Sequence, residues 1–281
     1  MAEIAYPGTD RYSMAELMAI LLARMAAGDA ESAGGGGANQ IISLAGNKLA
    51  QATTAPNVWL FTGGAGVYNG KFDRLPLGTW DSRCGQDAEC KIPLIDIADG
   101  LTKGVNDNLP KRVQRVGAGG LGGIQVDKYG NINMIGIGPH PKLKVRGPGT
   151  VGSIWLGAGQ TNIFLQHHGK RLFVEKCDYI SGAGWLTGGD ARAKTLNGRE
   201  GPRYVWTPIA VMDFTEDEHR MRICTVHPGY TVADVVANTG FELVIPDNVP
   251  QTVAPTDYEL EMLRTKVDPD GQLRKKRVTV G

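Results

Sequence analysis

The segment Val113 to Thr150, VQRVGAGGLGGIQVDKYGNINMIGIGPHPKLKVRGPGT, restricts the fold of this chain more than any other stretch. Clustered glycines (Gly117, Gly119, Gly120, Gly122, Gly123) lead into an alternating run, Ile124-Gln125-Val126-Asp127. That run stops at Lys128-Tyr129-Gly130-Asn131, and a second begins at Ile132. Period-two alternation on both sides of a Gly-Asn pair predicts strand, tight turn, strand. Farther on, Arg146-Gly147-Pro148-Gly149-Thr150 sets two glycines where a chain without Cβ can turn with positive φ or approach a ligand closely. Such a segment offers a ligand backbone amides rather than side chains.

The glycine excess is general: 39 of 281 residues, roughly twice the ~7% average share. Without a repeat it predicts many tight loops. The length and a 42% apolar fraction suffice for a core, and the chain is read as one α/β domain over residues 1–281. A net charge of +1 provides no global field for nucleic acid or an anionic membrane, so neither is expected as a partner. No run approaches the ~18 apolar residues of a membrane span. The opening MAEIAYPGTDRY lacks the basic and apolar regions of a signal peptide, so a cytoplasmic location is expected. Cys84, Cys90, Cys177 and Cys224 form no C-x-x-C pair, which points to reduced thiols and no metal site.

Ser13-Met14-Ala15-Glu16 has the spacing of a capping box and predicts a helix through Met25, ending near Gly28-Asp29. Gly34 to Gly37 form a flexible connection before a second helical stretch from Ile41 to Leu49. Asn57 to Phe61 is a short apolar run followed by glycines, the pattern of a buried parallel strand. Ligands bind beyond the carboxyl ends of such strands, which makes Thr62, Gly63 and Gly64 candidates, although a hydroxyl capping the turn is the ordinary role for Thr62.

Lys71 to Leu109 has little periodicity and reads as a long functional or subunit-contacting loop with a short helix around Ile95 to Leu101. Asp81, Arg83, Asp87 and Glu89 are either near a ligand or on a solvated face.

Thr161 to Glu175 reads as a hairpin turning at His168-Gly169-Lys170. His167 and His168 alternate faces and cannot readily hold one metal. Glu175 ends an apolar strand and is a candidate buried carboxylate, with a salt bridge to Lys176 or an arginine as the structural alternative. Strands follow around Tyr204-Val205-Trp206, Ile209 to Phe214 and Arg222 to Val226. Thr231 caps a helix stopping at Asn238-Thr239-Gly240, and a last helix spans Tyr258 to Val267 before a basic tail, Lys275-Lys276-Arg277, expected to fray.

The motifs GGIQVDKYGNIN (Gly122 to Asn133), RGPGT (Arg146 to Thr150), CDYISGAGWLTGG (Cys177 to Gly189), HPGYTVADVVANTGFEL (His227 to Leu243) and LRTKVDPDG (Leu263 to Gly271) together resemble the β-subunit type of family I coenzyme A transferases, glutaconate CoA-transferase above all. That resemblance implies an open, mostly parallel α/β sheet flanked by helices, with additional hairpins. It also implies an acyl-CoA substrate and a homologous α-type partner in an α2β2 assembly whose site lies between the chains. No cofactor is implied beyond coenzyme A as part of the substrate.

In the family a strand-end glutamate attacks the thioester, and a glycine-rich turn supplies an oxyanion-hole amide. The resemblance places that turn at Gly147-Pro148-Gly149-Thr150, with Gly149 as the donor, and puts Thr62 at the glutamate position. A threonine hydroxyl is a poor nucleophile without a base. Gln125 and Asn131 fall in the shared strand-turn-strand, as substrate contacts or as buried amides. The sequence is also similar to ring-cleaving acyl-CoA hydrolases of steroid degradation, which lack the same glutamate and share a Phe-Val-Glu strand leading to Asp178 and Ser181-Gly182-Ala183-Gly184.

Three functions follow from the resemblance. The expected one is a catalytic β-type subunit whose attacking group comes from the partner or water. The alternatives are a true CoA-transferase with Glu175 as nucleophile, and a non-catalytic CoA-binding subunit.

Overall fold

The computed structural model describes residues 11–28, 41–56, 61–62, 67–68, 72–78, 81–86, 88–91, 115–157, 160–196 and 201–281. The Gly34–Gly37 connection, Gly63, Gly64, Asp87, the Ile95–Leu101 helix and the Thr62 side chain lie outside them. The chain divides into two units, one comprising Thr9–Gly120 with Ala254–Arg277, the other Met1–Gly8, Leu121–Val253 and Val278–Gly281.

In the first of these, α1 (Met14–Gly28) starts at the predicted capping box. The Glu16 carboxylate accepts from the Ser13 N–H at 2.7 Å, and the Ser13 hydroxyl accepts from the Glu16 N–H at 3.2 Å. Helix α2 (Ile41–Ala52) packs on α1 at Gly46, where a Cβ would meet the Ala19 carbonyl oxygen at 2.7 Å. The helix Asp257–Met262, continued by a π-helical turn Leu263–Val267, is tied to α1 by Arg24–Glu259 and Arg264–Glu16 ion pairs.

Strand β1 (Phe61–Thr62) pairs antiparallel with β2 (Val67–Tyr68), which pairs with β3 (Cys90–Lys91). The expected parallel strand is thus a hairpin arm. Four intervening residues are too few for the crossover that parallel pairing demands.

Strand β4 (Arg115–Leu121) carries the chain into the other unit. There β5 (Gln125–Asp127) and β6 (Ile132–Asn133) form the predicted antiparallel pair, and Gly130 supplies the positive φ of 68° that its turn requires. A second hairpin joins β7 (Gly136–Ile137) to β8 (Val145–Arg146). Within this unit the main sheet runs β14-β13-β12-β9, from β9 (Gln160–Phe164), β12 (Val205–Trp206), β13 (Ala210–Phe214) and β14 (Met221–Val226). Only the β12–β9 contact in that run is parallel, so the sheet is mixed. Its inward side chains, among them Ile163, Val205, Met212 and Ile223, form the core with Val126, Ile132 and Phe173.

The hairpin expected over 161–175 does not form. Strand β10 (His167–His168) pairs in parallel with β15 (Thr279–Val280), and β11 (Phe173–Val174) pairs in parallel with β5. The N–H groups of Leu172 and Phe173 both bond to the Gly169 carbonyl, a helical turn that sends the chain away from β10. Beyond the basic tail, β15 is held in its strand pair, and the Gly281 N–H reaches the His168 carbonyl at 2.9 Å. The helix at Val232–Asn238 carries a full Thr231/Asp234 capping box.

Candidate active site

The glycine turn Arg146–Thr150 continues β8 and is held against residues 134–137. The Lys144 N–H donates to the Ile137 carbonyl at 2.8 Å, Gly147 to Ile135 at 2.8 Å, and Gly149 to Met134 at 3.0 Å. The last of these bonds engages the N–H that the resemblance implies as the oxyanion donor. The Gly149 N–H is already committed, and the next amide, Thr150, meets no acceptor among the described residues. Gly149 is still required by its φ of 93°, and an added Cβ there would find open space.

Gly147 is a glycine for a different reason than ligand approach: a Cβ would strike the Met134 carbonyl oxygen at 2.1 Å. Thr150 is exposed, and its carbonyl accepts from the Ser153 N–H at 3.0 Å, opening the 3-10 turn Val151–Gly157.

Met134 connects this turn to a second one beneath it. Its N–H donates to the Ser181 hydroxyl at 2.9 Å, and that oxygen also accepts from the Ser153 hydroxyl at 2.9 Å. In the Ser181–Gly184 turn, a Cβ on Gly184 would lie 2.3 Å from the Gly130 backbone.

Asn131 is 1% exposed. Its carbonyl oxygen accepts from the N–H groups of Gly184 and Leu186, and its amide nitrogen donates to Asp127 and the Leu186 carbonyl. Gln125 accepts from Asn133 at 2.6 Å and from the Asp178 N–H at 3.0 Å. Neither side chain is free for substrate, so both expected ligand contacts are buried amides that fix the turns. Burial raises the pKa of Asp127 despite its bonds from Asn131 and Tyr129. Burial also pushes the Cys177 thiol up, while Cys224, on the main sheet, is pushed up to about 12, so both stay protonated thiols near neutrality.

Glu175 is not the buried carboxylate that the apolar strand suggested. Its side chain is 63% exposed and bonds to Lys128, whose pKa is raised chiefly by that hydrogen bond. The cause is register: Val174 pairs with Asp127, which places the next residue of each strand side by side.

Thr62 lies in the other unit, on β1. The two histidines diverge: His168 is buried between the Thr207 and Thr239 hydroxyls, and His167 bonds to Thr279.

Three supports escaped the sequence. Arg192, 1% exposed on the short helix Ala191–Thr195, donates to the carbonyls of Ala183, Gly184 and Leu156 at 2.5, 2.7 and 2.8 Å. The Ser153–Ser181 hydroxyl pair has no local signature. Asp178, named only through the resemblance, accepts from the Gly138 N–H at 3.0 Å at the base of the β7–β8 hairpin. A hollow of about 320 Å3 between Trp185, Tyr204, Asp213, Phe214, His219 and Arg222 includes none of the site residues expected from sequence.

Comparison with known proteins places these features in context. A family model described as Coenzyme A transferase matches residues 111–238. The chain is 32% identical over 254 residues to a 3-oxoadipate CoA-transferase subunit of Pseudomonas knackmussii, covering 90% of this chain and 92% of that protein. It is 35% identical over 154 residues to the cholesterol ring-cleaving hydrolase IpdB subunit of Mycobacterium tuberculosis, covering 53% of this chain and 59% of that one. The structure of glutaconate coenzyme A-transferase from Acidaminococcus fermentans superposes with a TM-score of 0.78 at 24% identity, over 96% of this chain and 98% of that one. The mixed α/β fold is therefore the one that structure has.

Proposed function

The chain belongs to the coenzyme A transferase family, and from that premise we propose that it is the β-type subunit of a hetero-oligomer acting on an acyl-CoA thioester, with water or the partner supplying the attacking oxygen. A homologous α-type chain completes the assembly, as α2β2, and coenzyme A enters as part of the substrate. The observation that carries this reading is the state of Glu175, the chain's local candidate nucleophile: it is exposed and paired with Lys128. The reading also takes Thr62 to occupy the family's glutamate position, as the sequence resemblance implies.

In this reading the Thr150 N–H, aimed by the positive-φ Gly149, holds the thioester oxygen as negative charge grows on it. Addition of water to the carbonyl carbon forms a C–O bond. Collapse breaks the C–S bond, and the thiolate takes the proton, giving acid and free coenzyme A. The same amide stabilises the oxyanion formed when water opens a ring ketone β to the thioester and the electron pair of the broken C–C bond moves onto the thioester. Similarity to the ring-cleaving hydrolase subunit favours this hydrolytic chemistry.

A second reading, transfer to a carboxylic acid, is favoured by the relative matched over 92% of its length, a CoA-transferase subunit.

Co-expression with the neighbouring reading frame, followed by mass analysis of products from a panel of acyl-CoAs with and without acetate, separates the readings. Free acid without acetate supports hydrolysis. A new CoA ester appearing only with acetate supports transfer. No product from any acyl-CoA would leave a non-catalytic CoA-binding subunit.

A further inference from the structure

Lys142, Lys144 and Arg146 alternate along the outgoing arm of the β7–β8 hairpin, and all three are exposed. None has an acidic partner among the described residues, unlike Lys128, Lys194, Arg220 and Arg222 of the same unit; Lys170, Arg171 and Lys176 also have none, but they are not beside the glycine turn in the chain. Three unneutralised cations within five residues repel one another, an arrangement that an anion relieves.

The stripe runs directly into the glycine turn. The N–H groups of Lys144, Gly147 and Gly149 bond to the carbonyls of Ile137, Ile135 and Met134, which ties this stretch to residues 134–137. Leu143 folds back over Gly136, where a Cβ would lie 2.7 Å from its Cδ1, and the stem of Lys144 lies across Gly138. The Asp178 carboxylate is engaged with the Gly138 N–H and, at 3.4 Å, the Gln125 amide.

Resting on the acyl-CoA reading above, we propose that this stripe is the subsite for the 3′-phospho-ADP end of coenzyme A. A thioester held at Thr150 can run its pantetheine arm back along the hairpin. Arg146 lies at most about 10 Å of extended chain from Gly149, and Lys142 at most about 25 Å. Phosphates at the far end of a several-residue-long arm meet the cations over that range. A surface stripe of this kind acts on capture and affinity rather than on the chemical step.

The test uses the co-purified complex and the double variant Lys142→Glu/Lys144→Glu. Binding of 3′-phospho-ADP, measured by calorimetry, weakens at least about tenfold, and salt weakens the wild-type interaction similarly. The kcat/KM for an acyl-CoA falls through KM by the same factor, while that for the matching acyl-pantetheine is unchanged. An equal fall with both substrates, unchanged 3′-phospho-ADP binding, or loss of the partner from the variant complex would overturn the subsite, the last by making the stripe a subunit contact. Wild-type complex that binds 3′-phospho-ADP through these lysines yet turns over no thioester would sink the catalytic reading and leave the subsite standing.

Discussion

At Gly184 an added Cβ would meet the Gly130 backbone at 2.3 Å, whereas at Gly149 it would meet nothing within 4 Å. The two glycine turns are joined through Met134 and Ser181, yet they need glycine for opposite reasons. In the lower turn, Ser181–Gly184, the lack of a side chain lets two backbones touch, and Asn131 and Arg192 engage the surrounding carbonyls and amides. In the upper turn, Gly149 is set by its φ of 93°, the next amide is left without an acceptor, and the surface is open. A packed turn of the first kind serves as a foundation, and an exposed turn of the second kind can meet a ligand.

Substitutions can break that contrast. Arg192→Met leaves three carbonyls, two of them in buried bonds, without their donor and is expected to cost about 3 kcal/mol, read by urea unfolding. Acid attacks the buried side as well. Burial lowers the pKa of His168 to about 3 and that of His227 to about 4, both below the ordinary 6.5. Above pH 6.5 both histidines are neutral in either state and stability is complete. As pH falls toward 4, the unfolded chain takes up protons that the folded one refuses, and stability drops by up to about 2.7 kcal/mol per pH unit. Asp127 opposes this modestly, since its raised pKa favours the folded state as pH falls. Urea midpoints from pH 7 to 4.5 measure the slope, and a flat profile would show that the two histidines are not held neutral.

Gly184→Ala is expected to cost about 2 kcal/mol by overpacking against Gly130. Full stability in that variant would mean that the lower turn is not a tight foundation. The smallest effect belongs to Glu175→Gln. The loss of an exposed ion pair costs less than about 0.5 kcal/mol, and turnover should stay at the wild-type level. A collapse of activity there would restore Glu175 as the nucleophile.

The sequence made the helices readable because their ends are local: Ser13 with Glu16 and Thr231 with Asp234 satisfy amides three residues away. The β5–β6 turn was readable because only a residue tolerant of positive φ fits at Gly130. Residues 161–175 were misread because two-residue strands take their partners from Gln125–Asp127 and Thr279–Val280, far along the chain. Glu175 looked buried for the same reason, since its neighbour Lys128 is set by that distant register. RGPGT is legible as a glycine turn, but only the folded geometry distinguishes the committed N–H of Gly149 from the open one of Thr150. Arg192 carries no local signal, because a guanidinium in a short polar helix usually faces water.

Gly149→Ala, assayed for turnover and unfolding in the same co-purified complex, tests most directly whether the upper turn handles the thioester. Strain at positive φ should cost about 1 kcal/mol of stability. Displacement of the Thr150 amide should lower kcat by about 100-fold. A kcat within about threefold of wild type, far short of the loss of one oxyanion donor, or a fall that only tracks the fraction of unfolded protein, would contradict the account.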